Sequence, residues 1–271
     1  MNEYELIDSG NGRKLERFGP YILSRPCSQA VWNQSYPKEL WEEAHATFTR
    51  EEKGQWTFST KVPERWQVIL EGISMNVQLT DFGHVGIFPE QQICWRRLKE
   101  MAQVSHKVLN LFAYSGGSTL ACAEVGAHVC HLDSSKGMVQ WARENAELNG
   151  LERAPIRWIV EDAMKFLKRE IKRGSLYDGI ILDPPSFGRG SKGEVFKIER
   201  DIQQLLSLCK QCLQKDAAYM VFSCHTPGFT PTTLSHLLRD LFPEGDLEQG
   251  EMVLGEARPV PSGCYAILEK R

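Results

Sequence analysis

The stretch Asp178-Gly179-Ile180-Ile181-Leu182-Asp183-Pro184-Pro185-Ser186-Phe187 runs from an apolar segment into a carboxylate, two prolines and an aromatic ring. A short unbroken apolar run reads as a strand buried on both faces. After Asp183 the prolines can neither continue a sheet ladder nor begin a helix. The chain therefore leaves the strand extended and stiff, with its polar groups held at the strand's carboxyl end. Open α/β sheets bind ligands at that end. An acid, two prolines and an aromatic placed there suit the gripping of a planar amine or base.

Outward from this segment, β-rich apolar runs alternate with helical patterns, as in a doubly wound parallel sheet. The expected strands are Val108 to Ala113, His128 to Asp133, Ile156 to Glu161, Gly179 to Asp183 and Ala217 to Ser223. The expected helices are Ser118 to Val125, Ser135 to Leu148, Ala163 to Lys172, Glu194 to Leu213 and Thr232 to Phe242. Glu251 to Ala257 and Cys264 to Glu269 read as a closing antiparallel pair, which brings the sheet to seven strands. Residues 1–100 differ. Short strand-like pieces at Tyr4 to Asp8, Lys14 to Phe18, Val68 to Glu71 and Ser74 to Leu79, with a hairpin turn at Gly10-Asn11-Gly12, predict a small β-rich region. Residues 101–271 form the second domain. Five of the seven tryptophans lie in the first hundred residues, where core filling in a small domain is the simpler explanation and a stacking surface the other.

The 271 residues suffice for a full core, and 42% of them are hydrophobic. No apolar run reaches the ~20 residues of a membrane helix, and the start lacks a signal-peptide pattern, so a cytoplasmic location is expected. The eight cysteines then read as reduced thiols. Cys209 and Cys212 form a CxxC pair inside a helical pattern, without a second ligand pair at zinc-like spacing; packing is expected and no metal. A net charge of −3 gives no global support for nucleic-acid binding and leaves room for a local basic surface.

The first strand of the sheet ends in Ala113-Tyr114-Ser115-Gly116-Gly117, where glycines let the backbone approach a ligand. Three spaced glycines would mark a dinucleotide diphosphate site; two adjacent ones disfavour NAD. Asp133 ends the second strand, seventeen residues beyond Gly116, where a carboxylate can receive ribose hydroxyls. Glu161-Asp162-Ala163 offers a further acidic edge for an adenine amino group. Together these strand ends fit an adenosine ligand without a diphosphate, and S-adenosylmethionine is such a ligand.

Asn-Leu-Phe-Ala-Tyr-Ser-Gly-Gly (110–117), Asn145 in Asn-Ala-Glu-Leu-Asn-Gly, and Leu-Asp-Pro-Pro-Ser-Phe-Gly-Arg-Gly (182–190) carry a resemblance to a known family. Residues 107–225 resemble a Rossmann-like class I S-adenosylmethionine-dependent methyltransferase, similar to the large-subunit ribosomal RNA family of cytosine-C5 and guanine-N7 enzymes. The resemblance reaches Gly86-Ile87-Phe88-Pro89-Glu90-Gln91, in the place of a family segment that closes over the cofactor. It implies that Phe88, Pro89, Gln91, Ala113, Tyr114, Gly116, Asp133, Asp162, Ala163 and Asp183 line the cofactor pocket. It also implies an RNA partner, and residues 1–100 are too short and too different to hold the amino-terminal RNA-binding domain common in that family.

Two acceptor chemistries stay open. Cys224 ends the fifth strand beside Asp183, and a thiolate there could add to C6 of cytosine and activate C5. A thiol ending a core strand is also commonly just packed. In the other chemistry Asp183 or the Pro184 carbonyl accepts a hydrogen bond from a base nitrogen while Phe187 stacks on the ring. Gly188 to Lys197 reads as a mobile loop, with Arg189 and Lys192 able to meet phosphates. A protein side chain or a small metabolite is the alternative acceptor, and a non-catalytic cofactor-binding module the alternative class.

Overall fold

The structure is a computed structural model that describes residues 3–50, 54–190, 193–216 and 218–270. The chain divides into two compact units: Met1–Gln92 with Val253–Ser262, and Ile93–Met252 with Gly263–Arg271.

The first unit contains β1 (Tyr4–Gly10), β2 (Arg13–Phe18), β3 (Tyr21–Pro26), α1 (Lys38–Glu42), β4 (Ala46–Thr49), β5 (Gln55–Phe58), β6 (Trp66–Leu70) and β7 (Ile73–Val77). The first five strands make one sheet in chain order, and β6 and β7 pair separately. Asn11 and Gly12 both have positive φ (51° and 74°), which turns β1 into β2 with the right-handed twist of the strands. β3, β4 and β5 lie outside the sequence expectation. β3 hides a buried ion pair: Arg25 donates to both oxygens of Glu16, at 2.7 and 2.9 Å, and the Tyr4 hydroxyl adds a third bond at 3.0 Å. Burial by itself would raise the Glu16 carboxyl; Arg25 and Lys14 outweigh it and hold the group below its ordinary value. Charges at core positions break the alternation by which a strand is read.

The second unit begins with most of α2 (Gln92–Met101) and continues through β8 (Lys107–Leu111), α3 (Gly117–Glu124), β9 (His128–Asp133), α4 (Lys136–Leu148), β10 (Ile156–Val160) and α5 (Ala163–Arg173). It then runs through β11 (Gly179–Leu182), β12 (Phe187–Arg189), β13 (Val195–Lys197), α6 (Ile198–Cys212), β14 (Tyr219–Cys224), α7 (Pro231–Leu241), β15 (Asp246–Leu254) and β16 (Val260–Glu269). The seven-stranded sheet has the order β10-β9-β8-β11-β14-β16-β15. Its first five strands are parallel and β16 lies antiparallel to β14. From β8 the chain winds outward one way to β10 and then the other way from β11, so the topological switch falls between β8 and β11.

Strand parity separates the two helical layers. Leu109 and Leu111 of β8 belong to the core that includes Phe166, Leu205, Leu206 and Leu238 of α5, α6 and α7. Asn110 points the other way and donates to Thr119 of α3 at 2.9 Å, and Thr119 in turn meets His131 Nδ1 at 2.9 Å. Burial first and Arg143 second push His131 down to about 3, so this core histidine is neutral. Cys209 and Cys212 are fully buried in the α6 core.

One expected helix is shorter than its pattern. The helix read from Glu194 starts only at Ile198, because Val195–Lys197 pairs antiparallel with Phe187–Arg189. Asp201 accepts the amide of Lys197 at 2.8 Å and marks the start. The segment expected to be a mobile loop is thus a β-hairpin whose turn includes Gly190 and Gly193.

The adjacent glycines after β8 also have a packing role. A Cβ on Gly117 would lie 2.2 Å from the Trp95 ring, and one on Gly116, whose φ is +96°, 3.0 Å from the Ala142 Cβ. Gly117→Ala is therefore expected to lower stability by about 1–3 kcal/mol through overpacking. A clear fall in thermal midpoint checks this; an unchanged midpoint would refute it.

Candidate active site

At the carboxyl end of β8 the chain turns through Phe112 and Tyr114, both non-glycine residues in the left-handed region (φ 56° and 50°), before Gly116 caps α3. Each such residue is strained by about 1–3 kcal/mol and persists only where its surroundings hold it. Here the Ala113 amide donates to the Leu132 carbonyl at 3.0 Å. The Tyr114 amide donates to Asp133 Oδ2 at 3.0 Å, and Asn145, fully buried in α4, donates to the Ser115 carbonyl at 2.9 Å. Asn145 thus braces the turn from a neighbouring helix, a task its place in a helical pattern does not announce.

Asp133 also accepts the Ser135 amide, at 2.8 Å, through Oδ1. Burial pushes its carboxyl up from its ordinary value while the amides of Ser135, Tyr114 and Ser134 pull the other way. At the next strand end the two acids divide their work. Glu161 is paired with the Arg169 guanidinium, at 2.6 and 2.9 Å, and borders the same cleft as Asp133 and Asp162. Asp162 is the cap of α5, accepting the Lys165 amide at 2.9 Å, and Ala163 beside it is buried. Asp133, Asp162 and Ala163 border one cleft. Phe112, Phe196 and Arg189 also line it, and sequence reasoning singled out neither phenylalanine as a site residue.

Across the switch point, β11 delivers Asp183 and β14 delivers the segment after Cys224. Asp183 Oδ1 lies 3.3 Å from His225 Nδ1, and the Ser186 and Thr226 hydroxyls meet at 2.8 Å. Pro184 is buried, whereas Phe187 is 48% exposed with the Arg189 guanidinium 5.7 Å from its ring centre.

Cys224 does not face this crevice. It is 1% exposed, belongs to the apolar core and accepts the Thr226 amide on sulfur at 3.4 Å. Burial pushes its thiol up, against the pull of that amide. Strand parity accounts for the arrangement: successive residues at a strand end point to opposite sides, so Cys224 packs inward while His225 meets Asp183. His225 was not among the site residues expected from the sequence.

Phe88, Pro89 and Gln91 fall in the first unit. Pro89–Gln91 forms a 3-10 turn with Pro89 and Gln91 buried, and the Phe88 ring stands edge-on to His84 at 5.3 Å. Lys192 lies outside the described residues. Among the described residues no His, Cys, Asp or Glu cluster could hold a metal, and no helix is long and apolar enough to cross a membrane.

The chain matches the family model described as S-adenosylmethionine-dependent methyltransferase over residues 22–234, and it belongs to that family. It is similar throughout its length to a SAM-dependent methyltransferase from Agrobacterium tumefaciens: 40% identity, TM-score 0.95, covering 100% of this chain and 91% of that one. A methyltransferase crystallised with SAH superimposes with TM-score 0.79 at 21% identity, over 98% of this chain and 75% of its own, a likeness of fold. Among curated relatives, the ribosomal RNA large subunit methyltransferase K/L of Vibrio cholerae is 35% identical over 159 residues, 58% of this chain and 22% of the relative. Its counterpart in Vibrio campbellii is 36% identical over 165 residues, 60% of this chain and 23% of the relative. The chain spans about a fifth to a quarter of the length of these curated relatives. Family and fold are thus those of the class I S-adenosylmethionine-dependent methyltransferases.

The cleft fits that cofactor. It has carboxylates at two successive strand ends, Asp133 and Asp162, beside the apolar Phe112, Ala163 and Phe196.

Of the eight cysteines only Cys27 is partly exposed, the other seven being buried. Thiol labelling of the native protein followed by mass spectrometry is expected to mark Cys27 and leave Cys224 unmodified. Rapid labelling of Cys224 would overturn its placement.

Proposed function

We propose that the enzyme methylates a nitrogen of a base in RNA, with ribosomal RNA as the substrate class. The observation that carries the choice of nitrogen is the Asp183 and His225 pair, 3.3 Å apart at the switch point, with the Cys224 sulfur turned into the core. The name of the Vibrio relatives supports the RNA class, and residues 107–225 hold the motifs on which the resemblance rests. An enzyme acting on ribosomal RNA would work in the cytoplasm. The β-rich region of residues 1–100 is then the candidate for recognising the RNA around its target.

The cofactor supplies an electrophilic methyl group on a sulfonium sulfur. Asp133 receives the ribose hydroxyls with the lone pairs its two backbone donors leave available, and Asp162 with the Ala163 backbone meets the adenine edge. Asp183 or the Pro184 carbonyl accepts a hydrogen bond from the acceptor N–H and so aims the nitrogen lone pair. The rigid prolines keep that acceptor oxygen in place, and exposed Phe187 stacks on the base. As the N–C bond forms and the C–S bond breaks, the acceptor proton passes to Asp183, with His225 next in line. No covalent bond between enzyme and base is needed.

Transfer of labelled methyl to large-subunit RNA from cells lacking the protein tests this, with the modified nucleoside mapped by mass spectrometry. Asp183→Ala is expected to reduce kcat by about 10²-fold or more, and Cys224→Ala to keep activity within about threefold, since loss of a small buried thiol acts mainly on packing. A covalent adduct with 5-fluorocytosine RNA that vanishes in Cys224→Ala would overturn transfer to nitrogen. Incorporation confined to protein would overturn the RNA substrate.

A further inference from the structure

The β12–β13 hairpin leaves the Asp-Pro-Pro segment and folds back beside the cleft bounded by Asp133, Asp162 and Ala163. Its register pairs Phe187 with Lys197, Gly188 with Phe196 and Arg189 with Val195. Directly opposed residues in an antiparallel pair share a face, so the hairpin has two unlike sides. Gly188 and Phe196 make the inner side, where Phe196 is 8% exposed and packs against Phe112 with ring centres 5.5 Å apart. Phe187, Arg189, Val195 and Lys197 make the outer side, with Phe187 48% and Val195 42% exposed and Arg189, at the end of its strand, also bordering the cleft.

Two local features hold the inner side on the cleft. Glu194 forms an ion pair with Lys165 in the first turn of α5, the helix that Asp162 caps. Gly190 makes room for it, since a Cβ there would lie 2.5 Å from Glu194 Oε2. Gly188, Gly190 and Phe196 consequently border the same cavity as Asp162 and Ala163.

We propose that this hairpin is a cofactor-binding element: Phe196, backed by Phe112 and held by the Lys165–Glu194 pair, is the apolar wall against the adenine ring. The proposal rests on the cofactor placement given under the proposed function and adds a part of the chain that the acceptor motif would otherwise claim alone. An aromatic face is the surface a nucleobase meets best. The glycine opposite Phe196 keeps that wall low enough for a flat ligand to reach the acids behind it.

Calorimetric titration with SAH and, separately, with adenosine distinguishes the possibilities. Phe196→Leu is expected to weaken both ligands by about tenfold, since both carry the adenine ring. Glu194→Gln, on the surface, is expected to weaken both by about threefold while leaving the core and the thermal midpoint unchanged. Asp133→Asn serves as the control for the cofactor placement itself. Wild-type affinity in Phe196→Leu and Glu194→Gln, with a loss in Asp133→Asn, would remove the hairpin from the pocket and leave the placement standing. Wild-type affinity in all three variants would overturn both.

Discussion

Everything at the carboxyl edge of the second sheet depends on Asp133 accepting the amide of Tyr114. That bond crosses from the end of β9 to the turn after β8, the strand beside the topological switch. The turn keeps two non-glycine residues left-handed, a strain of about 1–3 kcal/mol for each. A hydrogen bond to a charged acceptor stabilises by about 1.5–3 kcal/mol and a neutral one by about 1. The bonds from Tyr114 to Asp133, from Ala113 to Leu132 and from Asn145 to Ser115 together match the strain. Remove the carboxylate, and the turn loses its charged anchor while one wall of the cleft loses its acid.

Parity at strand ends decides which groups reach the crevice. β11 and β14 pair in parallel with Leu182 opposite Phe222, so Asp183 and Ser223 begin the two exits together. Cys224 then turns into the core, with Cys264 opposite it on β16, and His225 turns toward Asp183. A cysteine beside an acid in sequence reads as a candidate nucleophile; one step of alternation makes the next residue the one that meets the acid. Burial and alternation act together here, and the apolar surroundings that hide the sulfur also hold the thiol protonated.

The same physics explains what was legible in the sequence. The parallel strands are apolar runs ending in small or acidic residues, and β8, β9, β10 and β11 lie within two residues of their expected bounds. Chemistry at each strand end was harder to read. Glu161 and Asp162 are adjacent acids of equal promise in the sequence, yet Arg169, two helical turns on, claims the first and the helix start claims the second. That Gly116 and Gly117 also make room for Ala142 and Trp95 is a long-range packing constraint the sequence does not reveal. In the first unit, β3 escaped notice because Arg25 occupies a core position, satisfied by Glu16 on the neighbouring strand and by the Gly83 carbonyl. Long-range pairing of that kind has no local signature.

The hairpin after the Asp-Pro-Pro segment shows why short motifs understate their reach. Its residues were read as a glycine-rich loop carrying cations, of which Arg189 and Lys197 fall on the outer side. Pairing at a two-residue period sets Phe196 on the opposite side, and a one-residue slip would exchange the two sets. Wherever the outer side meets an acceptor base and the inner side an adenine ring, both ligands order the same six paired residues. Linkage then requires each ligand to strengthen the other by the same factor, because the first to bind has already met part of the ordering entropy. Such coupling is typically worth about 1–3 kcal/mol. It would favour retention of the cofactor while the acceptor is engaged and its release once the acceptor departs.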